Sequence, residues 1–272
     1  MQPIKFFLWL LPSVLIPGTF SKNEDKSTVL FCYGKFNTAL VKNYNQVIIE
    51  PFHFNLTEIK QLKKDNKQVL AYISLGEVNS NASHYNLLKN NTLGKNNNWN
   101  SHYLDLKSDK TTIVLMRLIK KNLDKGFDGL FLDNIDNYSS FGPQKNQRKE
   151  LIELIKKIKK QYPKHLLIQN SGAELIEDTN KYVDAILFES VATNFSFKDN
   201  VYKLREIKDY TAYLERLKAI HSKFKLPVIL VEYADNQKLY SEVINRLAST
   251  NFEYFIGKID LQTIPNFTKT IK

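Results

Sequence analysis

The sequence predicts a single-domain α/β protein, a (β/α)8 TIM barrel, following a short N-terminal leader. Three observations predict it. Short β-branched or aromatic runs recur eight times, each followed by a helical or loop stretch. The runs are almost unbroken apolar, as strands are when helices cover them outside and packed side chains fill the space inside. Polar residues collect at one end of the runs, the C-terminal end, which is where parallel barrels carry their functional groups.

The runs come in order. The first covers 29–33. The second, 46–50, leads into an amphipathic helix near 56–65. The third, 69–75, precedes a long loop to about residue 109 and a helix near 112–125. The fourth is 130–133, followed by a helix near 147–161 and then Pro163. The fifth is 166–170. The sixth, 185–189, precedes another long loop and a helix near 210–223. Pro227 opens the seventh, 228–233, and a helix near 238–248 leads to the eighth, 252–256. No G-x-G-x-x-G follows any run, which excludes the nucleotide-binding form of an open doubly wound sheet. There is no linker and no fixed-period repeat, so residues 22–272 form one domain.

Residues 1–21 read as a signal peptide. Lys5 gives the positive start, residues 6–16 an apolar run broken by Pro12, and Gly18, Thr19 and Ser21 the small residues of a cleavage region. The run falls well short of the roughly 20 apolar residues that span a bilayer, so no stable membrane anchor is expected. The mature chain is expected to be secreted or periplasmic. Cys32 is the single cysteine, so no intramolecular disulfide forms and the core must hold the fold. The net charge is +11, and Lys5 alone leaves with the leader, so the mature chain keeps +10. Its lysines lie on amphipathic helix faces and no nucleic-acid motif accompanies them, so no nucleic-acid partner is expected.

The strand ends carry the candidate chemistry. Glu50 ends the second run, and Glu77 follows the third. Asp133, Asn134 and Asp136 end the fourth, Gln169 and Asn170 the fifth, Glu189 the sixth, and Glu232, Tyr233 and Asp235 the seventh. One carboxylate at a strand end is commonly a cap or a loop acceptor. Several converging on one end are harder to explain that way, because burying uncompensated carboxylates is costly.

Asp133 and Glu189 each follow an apolar run with no intervening turn residue, so rigid strand holds them. Alternate strands of a barrel fill the same interior layer, which sets this pair at one height. The separation then suits glycoside hydrolysis, in which one carboxyl group keeps its proton and the other stays ionised. Tyr85, Trp99, Tyr103, Tyr138, Phe195 and Phe197 supply loop aromatics of the kind sugar sites use. The five histidines show no metal-ligand spacing, and neither H-E-x-x-H nor G-x-S-x-G occurs. No cofactor is called for. The D-N-I-D run from Asp133 to Asp136 could hold a hard cation, which is the mechanistic rival.

Residues 72–77, Y-I-S-L-G-E, and 126–138, G-F-D-G-L-F-L-D-N-I-D-N-Y, resemble glycoside hydrolase family 114. Shorter likenesses lie at Leu187-Phe188-Glu189-Ser190, Val231-Glu232-Tyr233 and Gly257-Lys258-Ile259-Asp260-Leu261. The resemblance implies a (β/α)8 barrel with endo-α-1,4-polygalactosaminidase activity on an amino-sugar polysaccharide. It implies Asp133 and Glu189 as catalytic residues, with retention of configuration, and places Glu77, Asp136, Tyr138 and Tyr233 in the cleft. The strand ends add Glu50, Asn170 and Asp235 as substrate-binding candidates. Chitinase-like barrels carry a catalytic Glu two residues past the Asp, where this chain has Ile135, so that reading fails. Two further readings use the same residues: a secreted carbohydrate-binding barrel without turnover, and a metal-dependent hydrolase built on Asp133 and Asp136.

Overall fold

The computed structural model describes residues 28–267; the signal-peptide reading of residues 1–21 lies outside them. The barrel strands are β1 (Val29–Cys32), β2 (Gln46–Ile49), β3 (Gln68–Ser74), β7 (Gly129–Asp133), β8 (Leu166–Asn170), β9 (Ala185–Glu189), β12 (Val228–Tyr233) and β13 (Glu253–Gly257). They pair in that order, all parallel, with Phe31 opposite Ile48 and Ser74 opposite Asp133. The two ends of the sheet come alongside each other, so the barrel is nearly closed. At the seam the Phe31 and Phe255 rings lie 5.7 Å apart, and the Tyr33 N–H donates to the Leu261 carbonyl at 2.7 Å.

Helices α1 (Leu56–Asp65), α3 (Asp109–Asp124), α4 (Arg148–Gln161), α6 (Ile207–Phe224) and α7 (Gln237–Leu247) wrap the strands, with the short α2 (Tyr85–Leu88) and α5 (Ile176–Thr179) between them. Their buried residues follow the helical period. In α4 these are Leu151, Leu154, Ile155 and Ile158, and Lys149, Lys156, Lys157 and Lys160 face solvent. Asn55 and Glu58 form a reciprocal cap that starts α1. Among the described residues no helix is long and apolar enough to cross a membrane.

The eight expected runs are the eight barrel strands, each within a residue or so of its expected bounds. The two long loops hold unexpected structure. After β3 the chain builds a three-stranded antiparallel sheet from β4 (Glu77–Asn79), β5 (Thr92–Asn96) and β6 (Ser101–Leu104). After β9 it builds a hairpin, β10 (Thr193–Ser196) with β11 (Val201–Leu204). Both excursions rise from the C-terminal ends of barrel strands.

The two ends of the barrel use carboxylates differently. At the strand starts Asp128 accepts from the Val69 N–H at 2.9 Å and pairs with Lys63, and Asp184 accepts from the Leu167 N–H at 2.9 Å and pairs with Lys159. These are structural ties. At the strand ends three successive barrel strands finish on a polar side chain followed by a left-handed residue: Asp133 then Asn134 (φ 60°), Asn170 then Ser171 (φ 56°), Glu189 then Ser190 (φ 55°). A non-glycine residue rarely adopts this backbone without cost. Here it stops the parallel ladder immediately after each functional candidate.

Candidate active site

Side chains alternate along a strand, so each strand end divides its last two residues between the scaffold and the barrel mouth. In β12 Glu232 is fully buried away from the mouth. It accepts from the N–H groups of Val191, Ala192 and Thr193 and from the Thr193 hydroxyl at 2.6–3.0 Å. The next residue, Tyr233, turns to the mouth and donates its hydroxyl to Glu189 Oε2. In β8 Gln169 ties down the following loop through Ser171 O and Thr179, and Asn170 turns to the mouth.

Asn170 is the centre of the arrangement. Its side-chain nitrogen donates to Asp133 Oδ1 and to Glu189 Oε1, each at 2.7 Å. Those two oxygens are therefore at most twice 2.7 Å, 5.4 Å, apart. Asp133 Oδ2 accepts from the Tyr72 hydroxyl at 2.8 Å, and Asp133 Oδ1 also accepts from the Asn134 N–H at 2.8 Å. Both carboxylates are only partly buried, so the mouth remains open to them.

Both carboxyls are raised, in unlike surroundings. Burial, then the charge of Asp133, push Glu189 up to about 7, while Tyr233 and Asn170 pull it back. Burial also raises Asp133, against three donors that favour its ionised form, Asn170, Tyr72 and the Asn134 N–H. The more heavily solvated of two close carboxylates holds the charge and the other keeps the proton. Tyr33, Tyr72 and Tyr233 line the same mouth. Burial and the surrounding carboxylates hold all three hydroxyls well above their ordinary range, so they serve as donors.

The other sequence candidates divide. Glu50, raised to about 7 mainly by burial, lies close enough to act electrostatically on Tyr33 and Tyr72. Asp136 is exposed at the rim; the cleft walls, then Asp133, raise it to about 6. Glu77 is buried and saturated by Asn96, Asn137 and Ser101, so it knits the β4–β6 sheet to the loop after β7. Tyr138 is fully buried beneath the mouth, donating to Leu75 O at 3.0 Å and accepting from Gln144. Asp235 is exposed in a separate groove of about 430 Å³ beside Lys258 and Phe267. Sequence reasoning passed over Tyr33 and Tyr72. Their signal was a tyrosine near the C-terminal end of an apolar strand, where a buried hydroxyl needs a partner. As for a cation between Asp133 and Asp136, both Asp133 oxygens already accept from N–H or O–H donors, which an ion would have to displace.

A parallel barrel with a bridged carboxylate pair at its mouth has the build of a glycoside hydrolase. The model of glycoside-hydrolase family GH114 matches residues 24–270. The chain belongs to that family and is a glycoside hydrolase. Among solved structures, the glycoside hydrolase domain of PelA from Pseudomonas aeruginosa is 22% identical with a TM-score of 0.78, over 87% of this chain and 96% of that one. Ega3 from Aspergillus fumigatus, solved in complex with galactosamine, is 18% identical with a TM-score of 0.67, over 88% of this chain and 93% of that one. Both share the fold. A search of curated protein sequences returns no match.

Proposed function

We propose that the protein is an exported glycosidase that cleaves a galactosamine-containing polysaccharide, α-1,4-linked, with retention of configuration. Residues 1–21 are its signal peptide and residues 22–272 the catalytic barrel. The observation that carries the mechanism is the shared Asn170 donor. Retaining glycosidases hold their carboxyl groups about 5–5.5 Å apart and inverting ones about 6.5–9.5 Å, and an upper bound of 5.4 Å between the facing oxygens supports the retaining class. The substrate reading rests on the family, on the sequence resemblance and on the galactosamine bound to Ega3.

In this mechanism Asp133, whose ionised form is favoured by its three donors, attacks the anomeric carbon as the glycosidic C–O bond breaks. Glu189 passes its proton to the departing oxygen. Water then attacks the same carbon, Glu189 takes the water proton, and the Asp133–carbon bond breaks. A Glu189 carboxyl near 7 suits both halves, since it is protonated for the first and a competent base for the second. Asn170, Tyr72 and Tyr233 hold the pair in place. Glu50 and Asp136 line the mouth as acceptors for a hydroxyl or protonated amine of the sugar.

The test is turnover of galactosamine polymer. Asp133→Asn and Glu189→Gln should each lower it by at least about a hundredfold. A parent chain that binds the polymer without cleaving it, equally with both variants, would instead support a binding barrel.

A further inference from the structure

The exposed aromatic residues of the described chain are Phe52, Trp99, Phe141 and Phe197, with accessibilities of 45% to 76%. Every one lies beyond the C-terminal end of a barrel strand: Phe52 after β2, Trp99 between β5 and β6, Phe141 after β7, Phe197 between β10 and β11. None lies on α1–α7. Most rings in this chain gain the burial that water favours for apolar surface; the ones that forgo it are confined to the face carrying the carboxylate pair. The exposed aliphatic residues are scattered, with Leu56, Ile113 and Ile207 on helices, whereas exposed rings gathered on one face suit a binding surface.

Two of these rings meet. Trp99 and Phe197 come from different excursions, yet pack edge to face with centroids 5.3 Å apart and planes at 87°. Phe197 continues to Phe195 at 5.0 Å, and Phe195 to Tyr202 at 4.7 Å. The Tyr202 hydroxyl accepts from the Ile259 N–H at 3.1 Å, in the segment after β13. The row thus joins loops rising from β3, β9 and β13, which are not neighbours in the sheet, and runs across the mouth face. An edge-to-face contact fixes each ring while leaving tryptophan surface free. A hexosamine unit offers two complements to such a surface. One is the apolar C–H face of its ring; the other is an ammonium, for which the tryptophan face is the best aromatic partner.

We propose that Trp99, braced by Phe197, is a stacking subsite for an amino-sugar unit of the polymer, distinct from the positions at Asp133 and Glu189. The proposal rests on the substrate reading above and deepens it. The subsite holds long chains and leaves the chemical step alone.

The sequence supplies its own probe, because Trp9 and Trp99 are the only tryptophans. In the full chain carrying Trp9→Phe, emission reports Trp99 alone, and adding Glu189→Gln allows binding without turnover. Titration with galactosamine polymer should shift Trp99 emission saturably, and free galactosamine should not. With the catalytic pair intact, Trp99→Ala and Phe197→Ala should raise KM for the polymer roughly tenfold with kcat unchanged. Trp99→Phe should recover part of the loss. Unaltered emission while the polymer sediments with the protein, together with a parental KM in Trp99→Ala, overturns the subsite and leaves the substrate reading intact wherever the parent cleaves the polymer. A polymer neither bound nor cleaved overturns both.

Discussion

Removing the Asn170 amide should move the whole pH profile of the enzyme. In Asn170→Ala both carboxylates lose a donor that sits at 2.7 Å and favours their ionised forms. A hydrogen bond to a charged group contributes about 1.5–3 kcal/mol, and one pKa unit corresponds to about 1.36 kcal/mol. Each carboxyl should therefore rise by about one to two units. The acid limb of kcat/KM, which follows ionisation of the nucleophile, and the alkaline limb, which follows loss of the proton from the acid, should both move upward. Spacing suffers as well, and a small displacement of a reacting group can cost about a hundredfold, so kcat should fall sharply. Tyr72→Phe touches only Asp133 and should move chiefly the acid limb; Tyr233→Phe touches only Glu189 and should move chiefly the alkaline limb. The assay is the pH dependence of polymer cleavage by the three variants. A profile that keeps both limbs in place in Asn170→Ala, whatever its height, would refute the shared-donor reasoning.

The same electrostatics reach stability. Glu189 holds its proton to about 7 in the folded state against an ordinary value of 4.5, so the folded chain binds more protons through that window. Its contribution is complete below the ordinary value and is lost as pH rises through 7. Glu189→Gln should thus melt several degrees above the parent at pH 8, by up to about 3 kcal/mol, and alongside it near pH 4; thermal melts at the two pH values check this, and an equal gap at both contradicts it. Glu232→Leu should lower stability by at least about 3 kcal/mol, because three buried N–H groups and a hydroxyl lose their acceptor. A parental melting temperature would show that water replaces the carboxylate.

The barrel strands were legible because burial on both sides makes them short apolar runs, and a run such as Leu130-Phe131-Leu132 admits few other readings. Asp133 and Glu189 were legible because a rigid strand ends on each one. The excursions were not. Strand β5 is Thr92-Leu93-Gly94-Lys95-Asn96, largely exposed, so it shows neither an apolar run nor an in-out alternation. Its asparagine-rich turn reads as loop, although Asn100 takes the left-handed backbone that closes the hairpin, at φ 49°. The division of labour within strand ends was likewise hidden. Glu232 and Tyr233 look equally available in sequence, and only the strand's orientation sends one into the scaffold and the other to Glu189. Tyr138 read as a cleft aromatic from its loop position and the family resemblance, yet a single 3-10 turn carries it underneath, where Leu75 and Gln144 occupy its hydroxyl.

The most direct measurement is the configuration of the first product. Proton NMR during the first turnovers on an α-1,4-linked galactosamine polymer resolves the new reducing end before it mutarotates. With Asp133 and Glu189 bridged by one amide nitrogen, with facing oxygens no more than 5.4 Å apart, the α-anomer should appear first. Initial release of the β-anomer would require a water between the carboxylates, and would contradict Asp133 as the nucleophile.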